Sequence, residues 1–296
     1  MIEAKKSLFW GNVLKHSVLV ILAAVSVIPL ISVISISFTD EASIIEQGYS
    51  VFSRKMSTAA YSIILRNPSR ILQSYYITIS VTSAGTVSSL LVISLVAFPM
   101  ARPDYRYRRP LTFYVFFTML FNGGLVPWYI LIARYLQLKN TFFVLFLPWL
   151  VIPWFVLLLR TFFTQLPFSL FESAKMDGAS EFRMYAQILL PLSKPALATV
   201  GLFIALHLWN DWWLPLLYID VEHLIPLQYM LQRMMANFDY LTKQMTTASM
   251  NIDIGDLPGE SARMAMCVLA AGPMLFIFPF FQKYFVRGLT AGSLKG

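Results

Sequence analysis

The sequence predicts an all-α integral membrane protein with about six transmembrane helices and with both the N- and C-termini cytoplasmic. Three observations carry this. Of 296 residues, 57% are hydrophobic and 13% charged, where a soluble domain carries roughly 25% charged residues. Six apolar stretches, residues 17–38, 72–101, 111–133, 142–163, 196–219 and 264–285, are each long enough to cross a membrane, since ~20 residues at ~1.5 Å each span the ~30 Å hydrocarbon layer. Lys and Arg divide unevenly between the connections, and positive charge is retained on the cytoplasmic side.

The first stretch follows Lys5, Lys6 and Lys15 and runs without a charge from Ser17 to Phe38. A signal-peptide core has only ~7–15 apolar residues, so this reads as a retained helix. The second carries Thr78, Ser80, Thr82, Ser83, Thr86, Ser88 and Ser89. Small hydroxylated side chains allow close helix approach, so this face is expected to pack on protein. The third is interrupted by Gly123-Gly124 and Pro127, which predicts a kinked or broken helix.

With the N-terminus inside, residues 1–16, 102–110, 160–195 and 283–296 hold 14 of the 23 basic residues. The strongest cue is Arg102, Arg106, Arg108 and Arg109 in one short connection. The net charge of +8 is therefore read as topology, with no nucleic acid among the expected partners. The lone Cys267 sits in an apolar run and reads as a small hydrophobe. The organisation expected is a cytoplasmic segment 1–16, a first helix and outer loop 17–71, a core 72–285 and a cytoplasmic tail 286–296.

The inner connection 166–195 carries the clearest pattern. It reads as two short amphipathic helices joined at Gly178, a residue that can take the left-handed conformation ending a helix. Pro167 suits a first turn, Ser180 a helix cap, and Pro191 and Pro195 a break before the fifth span. Phe182, Tyr185, Ile188 and Leu189 fall on one face at helical spacing. Small residues beside Glu172 and Asp177 fit a docking element for a basic partner surface, and a structural hairpin at the membrane interface has the same pattern.

The segment resembles the EAA loop of binding-protein-dependent ABC importer permeases. That pattern is matched by Glu172, Ser173 and Ala174, then Asp177, Gly178 and Ala179, then Tyr185, Leu190, Pro191 and Pro195. Ser173 stands where the family has Ala and Tyr185 where it has Phe. The likeness runs from about residue 70 to the end of the chain. Trp209-Asn210-Asp211 and the tail from Lys283 to Gly296 resemble the carbohydrate branch, the group of the smaller maltose-importer permease subunit. Within it the chain also resembles permeases for polysaccharide fragments, alginate included.

The resemblance implies a type I ABC importer permease fold in a bacterial cytoplasmic (inner) membrane. The implied partners are an ABC ATPase dimer, a second non-identical permease, an extracellular or periplasmic solute-binding protein, an oligosaccharide substrate and membrane lipid. It also implies that the loop seats in the ATPase, with Glu172 as ionic anchor and Gly178 as turn. The sequence holds no Gly-x-x-x-x-Gly-Lys-Ser/Thr phosphate loop, so ATP and Mg belong on the ATPase, and this chain is expected to bind no cofactor and no metal and to hold no catalytic residue.

Ionisable groups within the spans are few; His207 and Asp211 lie in the fifth. Trp209, Asn210, Asp211 and Trp212 are candidate translocation-pathway residues, aromatic rings for stacking on sugar beside polar groups for its hydroxyls. An interfacial aromatic belt accounts for the same residues. His207 reads as packed in the core. The outer connection 220–263, with Met230, Met234, Met235, Met245 and Met250, reads either as an adaptable contact surface or as a loop packed on its own subunit. An ion-coupled transporter would want internal repeats and intramembrane carboxylates, and an intramembrane enzyme a nucleophile–base pair or metal ligands. His16, His207 and His223 are isolated in the sequence, which favours neither.

Overall fold

A chain this apolar satisfies its backbone internally, and in a bilayer a helix does that within one segment. The computed structural model describes residues 2–50, 55–247 and 259–275. Among them the structure is helical, with an isolated bridge between Thr39 and Met56 as its extended pairing. The described residues fall into two compact units, one taking in the chain up to Pro68 together with Arg233–Pro273, the other built on Ser69–Gln232.

In the first unit, α1 (Ile2–Ser37) carries no charged residue from Ser17 onward. Its span Asn12–Ser37 is only 6% buried by the chain itself, which suits a helix covered by lipid or another subunit. After it come α2 (Glu41–Gln47) and α3 (Ala59–Ile64). Glu41 is buried and accepts hydrogen bonds from the backbone N–H groups of Glu260 (2.8 Å) and Ser261 (3.0 Å) and from the Ser261 hydroxyl. It thereby caps the last described helix, α14 (260–275), whose first-turn N–H groups have no partner within the helix. Cys267 is exposed on α14 rather than packed inside.

The second unit is organised around α4 (Pro68–Ala101), an unbroken helix covering the second predicted span. Its buried stripe includes Ile77, Val81, Gly85, Ser89, Ile93, Ala97 and Met100, at three- and four-residue spacing. A Cβ on Gly85 would lie 2.6 Å from Leu208 Cδ1 and 2.9 Å from Phe146 Cβ, so the missing side chain is what lets these elements approach. The expected Ser/Thr face packs on protein: Thr78 and Ser89 are buried, the Thr82 and Thr86 hydroxyls between them point inward, and Ser83 alone of the seven is exposed.

Three further predicted spans are not continuous helices. α5 (Arg108–Leu120) gives way at 121–124 to α6 (Leu125–Ile130), which continues as a π-helical turn, Leu131–Tyr135. The two arms meet at 110°, with Gly124 at φ +87°, so the expected break at Gly123-Gly124 is present and sharp. The fourth stretch is two 3-10 turns, Phe142–Leu145 and Leu147–Trp149, followed at 54° by α7 (Pro153–Phe163). Pro148 and Pro153 remove the N–H groups that would join them.

The fifth is α11 (Lys194–Trp209), 16 residues or about 24 Å. It stops short of residue 219, and α12 (Trp213–Tyr218) begins after a turn. Among the described residues, two helices are long and apolar enough to cross alone, and up to five crossings result if each bent pair is one span. The sixth predicted span lies outside the described residues beyond 275, as does the tail. The connection 220–263 opens with a 3-10 turn (Glu222–Leu224) and α13 (Leu227–Thr247), so its first half is mostly helix; Met250 lies outside the described residues.

Candidate functional site

The connection after α7 turns over Thr164–Phe168 and enters α8 (Ser169–Met176). The Leu170 N–H bonds the Pro167 carbonyl at 3.2 Å, so Pro167 stands just before the helix rather than inside it. Phe171 is buried, and Glu172, Ser173, Met176 and Asp177 are exposed. Glu172 sits in the first turn and Lys175 in the last, each at the end of the helix dipole that favours its charge. Among the described residues neither Glu172 nor Asp177 has an ion-pair partner.

α8 ends in a Schellman turn. The Gly178 N–H bonds the Lys175 carbonyl (3.1 Å) and the Ala179 N–H reaches back to Ala174 (2.9 Å). Gly178 has φ +77°, the left-handed conformation this turn requires. The Ser180 hydroxyl then accepts from the Arg183 N–H (3.3 Å), capping α9 (Glu181–Met184). α9 runs through a π-helical turn (Tyr185–Leu189) into α10 (Leu190–Leu192).

Two details differ from expectation. Pro191 does not break the helix: the Leu190 N–H bonds the Tyr185 carbonyl in the widened turn, and the helix continues to Leu192. The break falls at Ser193, where the axis bends by 81° into α11, with Pro195 in the new first turn. The buried face consists of Met184, Tyr185 and Leu189, while Phe182 is 73% exposed. Helical spacing alone groups Phe182 with Tyr185, but it is Met184, its sulfur 3.8 Å from the Arg102 guanidinium, that is buried.

Sequence reasoning took Arg102 as a sign of topology, and the structure places it inside. It is 6% exposed and donates to Glu181 Oε2 at 2.7 Å and to Asp104. Its guanidinium lies 5.5 Å from the Phe98 ring centroid and 5.8 Å from that of Phe171. Arg102 holds the Asp104 carboxyl below its usual range, Lys175 adding a smaller pull. A buried cation with two carboxylates and two ring faces is compensated on every side. A lone arginine at the end of an apolar run was the available signal.

The four pathway candidates separate. Trp209 is 3% exposed, so its ring does not reach the surface. Asn210 ends α11 and is tied to Leu206 and Gln228 (2.8 and 3.1 Å). Asp211 accepts from the Trp213 N–H (3.0 Å) and from the Trp149 indole N–H (3.1 Å), so its carboxylate holds the α11–α12 turn. Trp212 and its neighbour Trp213 are the rings left on the surface, packed edge to face. His207 is exposed, with Trp149 edge-on at 5.0 Å, rather than in the core. Trp149 and Gln228 were not legible as members of this cluster, since both come from distant parts of the chain. Among the described residues no group of His, Cys, Asp or Glu could hold a metal ion.

The model of the family of binding-protein-dependent transport system inner membrane components matches residues 4–291. The chain belongs to this family. The match reaches well before residue 70, so the family likeness includes α1. Among curated members, the chain is 34% identical to Protein LplC of Bacillus subtilis, covering 92% of this chain and 90% of that one. It is 33% identical to the polygalacturonan/rhamnogalacturonan transport system permease protein YtcP of the same organism, covering 96% and 98%. A solved bacterial ABC transporter involved in the import of the acidic polysaccharide alginate contains a chain of the same fold (TM-score 0.76, 28% identity, covering 93% of this chain and 96% of that one). This family member is thus a helical membrane permease of the ABC type, a transport subunit and not an enzyme.

Proposed function

We propose that this chain forms half of the translocation pathway of an ATP-driven, binding-protein-dependent importer of oligosaccharides. Fragments of acidic polysaccharides are the first class to test, because YtcP and the alginate transporter are named for such substrates. It would sit in a bacterial cytoplasmic membrane with both termini inside. Its partners would be two ATPase copies carrying ATP and Mg, a second, non-identical permease and a solute-binding protein.

The observation that carries the mechanism is the Glu172–Pro195 segment. Among the described residues Glu172, on a short helix anchored by Phe171, and Asp177, at its end, are exposed and without an ion-pair partner. Exposed carboxylates on a well-packed element suit basic groups in a groove on a partner. Closure of the ATPases on ATP would displace this segment and switch the helices between inward- and outward-facing states, each favoured by a different ligand.

The test is co-expression with a candidate ATPase, second permease and binding protein, followed by ATPase assay with oligogalacturonides, alginate oligosaccharides and maltooligosaccharides. Glu172→Lys is expected to abolish stimulated hydrolysis while the chain stays inserted. Wild-type stimulation in that variant would refute the docking role. Stimulation by a non-sugar solute alone would refute the substrate class.

A further inference from the structure

We propose that Arg102 is the joint through which movement of the Glu172–Pro195 segment reaches α4, and that α4 is the rod carrying that movement across the subunit. The proposal rests on reading this segment as the ATPase docking element. One guanidinium touches groups from three helices: the Phe98 ring of α4, the Phe171 ring of α8 and the Glu181 carboxylate of α9. Asp104 fixes it from the side of its own loop. Arginine's planar fork can bond two carboxylates while its faces lie against rings, a combination that lysine's point charge does not reproduce. A few residues away, Ser94 Oγ and the Tyr185 hydroxyl, 2.7 Å apart, add a second buried tie between α4 and the loop.

The competing routes are covalent but bent. Toward α11 the chain turns 81° at Ser193, and α11 ends at Trp209. Toward α7 it passes the Thr164–Phe168 turn, and α7 is 11 residues long. α4 is 34 residues of continuous helix, with its one internal proline, Pro99, confined to the last turn, about 51 Å in all. At its far end the Thr78 hydroxyl accepts from the Leu227 N–H at 2.8 Å, and Ser74 bonds Met230. A displacement delivered at Arg102 therefore meets one continuous helix that already holds the start of α13, whereas the other two paths pass a bend or a turn before a much shorter helix.

The experiment uses the assembled complex with its ATPase and second permease. In a Cys267→Ser background, nitroxides are placed at Leu95→Cys on α4 and Met176→Cys on α8, both exposed positions. Their separation is measured by pulsed electron resonance with and without a non-hydrolysable ATP analogue. The joint predicts one narrow distance that nucleotide does not alter. Arg102→Gln is expected to broaden the distribution once nucleotide is added, with the ATPase still co-purifying at wild-type level. Glu181→Gln, at a side chain 63% exposed, removes the same charge pair without touching the buried cation and should act likewise.

A distance that shifts with nucleotide in the unsubstituted pair overturns the proposal, because the loop then pivots on α4. An unchanged distribution in both variants overturns it too. Loss of the ATPase from both would assign Arg102 to shaping the docking face instead. Glu172→Lys separates the two readings: co-purification that survives this substitution refutes the docking site itself.

Discussion

The Tyr185 hydroxyl lies 2.7 Å from Ser94 Oγ, with both side chains buried. Tyr185 occupies the position at which the resembled loop pattern has Phe, and α4 supplies the group that makes a hydroxyl tolerable there. Ser94 also reaches the Leu91 carbonyl at 3.1 Å, so it keeps a partner when Tyr185 loses its oxygen. Tyr185→Phe should therefore cost about 1 kcal/mol. Ser94→Ala should cost more, up to about 3 kcal/mol, because it leaves a buried phenol unpaired. The double variant should be more stable than Ser94→Ala alone. Thermal unfolding of the four proteins in detergent tests this, and additive effects would mean the two hydroxyls do not interact.

Gly178 can be probed separately from its surroundings. A Cβ there meets nothing within 4 Å, so any effect of Gly178→Ala is conformational. Forcing an L-residue to φ +77° should cost about 1–2 kcal/mol, and Gly178→Asn should cost less, since Asn tolerates that region. The order Gly, Asn, Ala in unfolding temperature is the expected result.

Gly85 and Gly201 differ in what faces them. At Gly85 a new methyl would collide with Phe146 Cβ at 2.9 Å as well as with Leu208, and a Cβ moves only with its backbone. Gly85→Ala should lose about 1–3 kcal/mol. At Gly201 the contact is the Cδ1 tip of Leu90, also at 2.9 Å, which can rotate away. Gly201→Ala should be nearer neutral in the same assay.

The Arg102–Asp104 pair has a defined pH window. Arg102 lowers the folded-state carboxyl below its ordinary 3.8. The pair's contribution is therefore complete above that value and is lost only as pH falls through the lower folded pKa. The deficit in unfolding temperature of Asp104→Asn should stay constant from about pH 8 to pH 5 and shrink below about pH 4. A deficit that fades between pH 7 and 5 would mean the carboxyl is not held low by Arg102.

Parts of this were legible in the residue string because the signal was local. Gly178 predicted a turn, Ser180 a cap and Gly123-Gly124 a break, and each of these depends on one residue's own backbone preference or short side chain. The length of α4 also followed from composition, since an uninterrupted apolar run has no other way to satisfy its peptide groups in a bilayer.

Other features were set by partners far along the chain. Phe182 and Met184 are both apolar and close in sequence, and Met184 is the buried one, against the Arg102 guanidinium that comes from another part of the chain. Asp211 reads from the sequence either as a pathway acid or as part of an interfacial belt, and its partners, Trp149 and the α12 backbone, come from outside its own stretch. Pro191 looked like a breaker because the widened turn at Tyr185–Leu189 leaves no trace in composition.

By itself, the sequence determined that this is a helical membrane permease and where its EAA-like segment lies, because hydropathy and loop spacing are properties of short stretches. Only the tertiary structure decided that Arg102 is interior. A positive charge at the end of an apolar run is ordinarily solvated, and it stays buried here because Glu181, Asp104, Phe98 and Phe171 converge on it from separate elements.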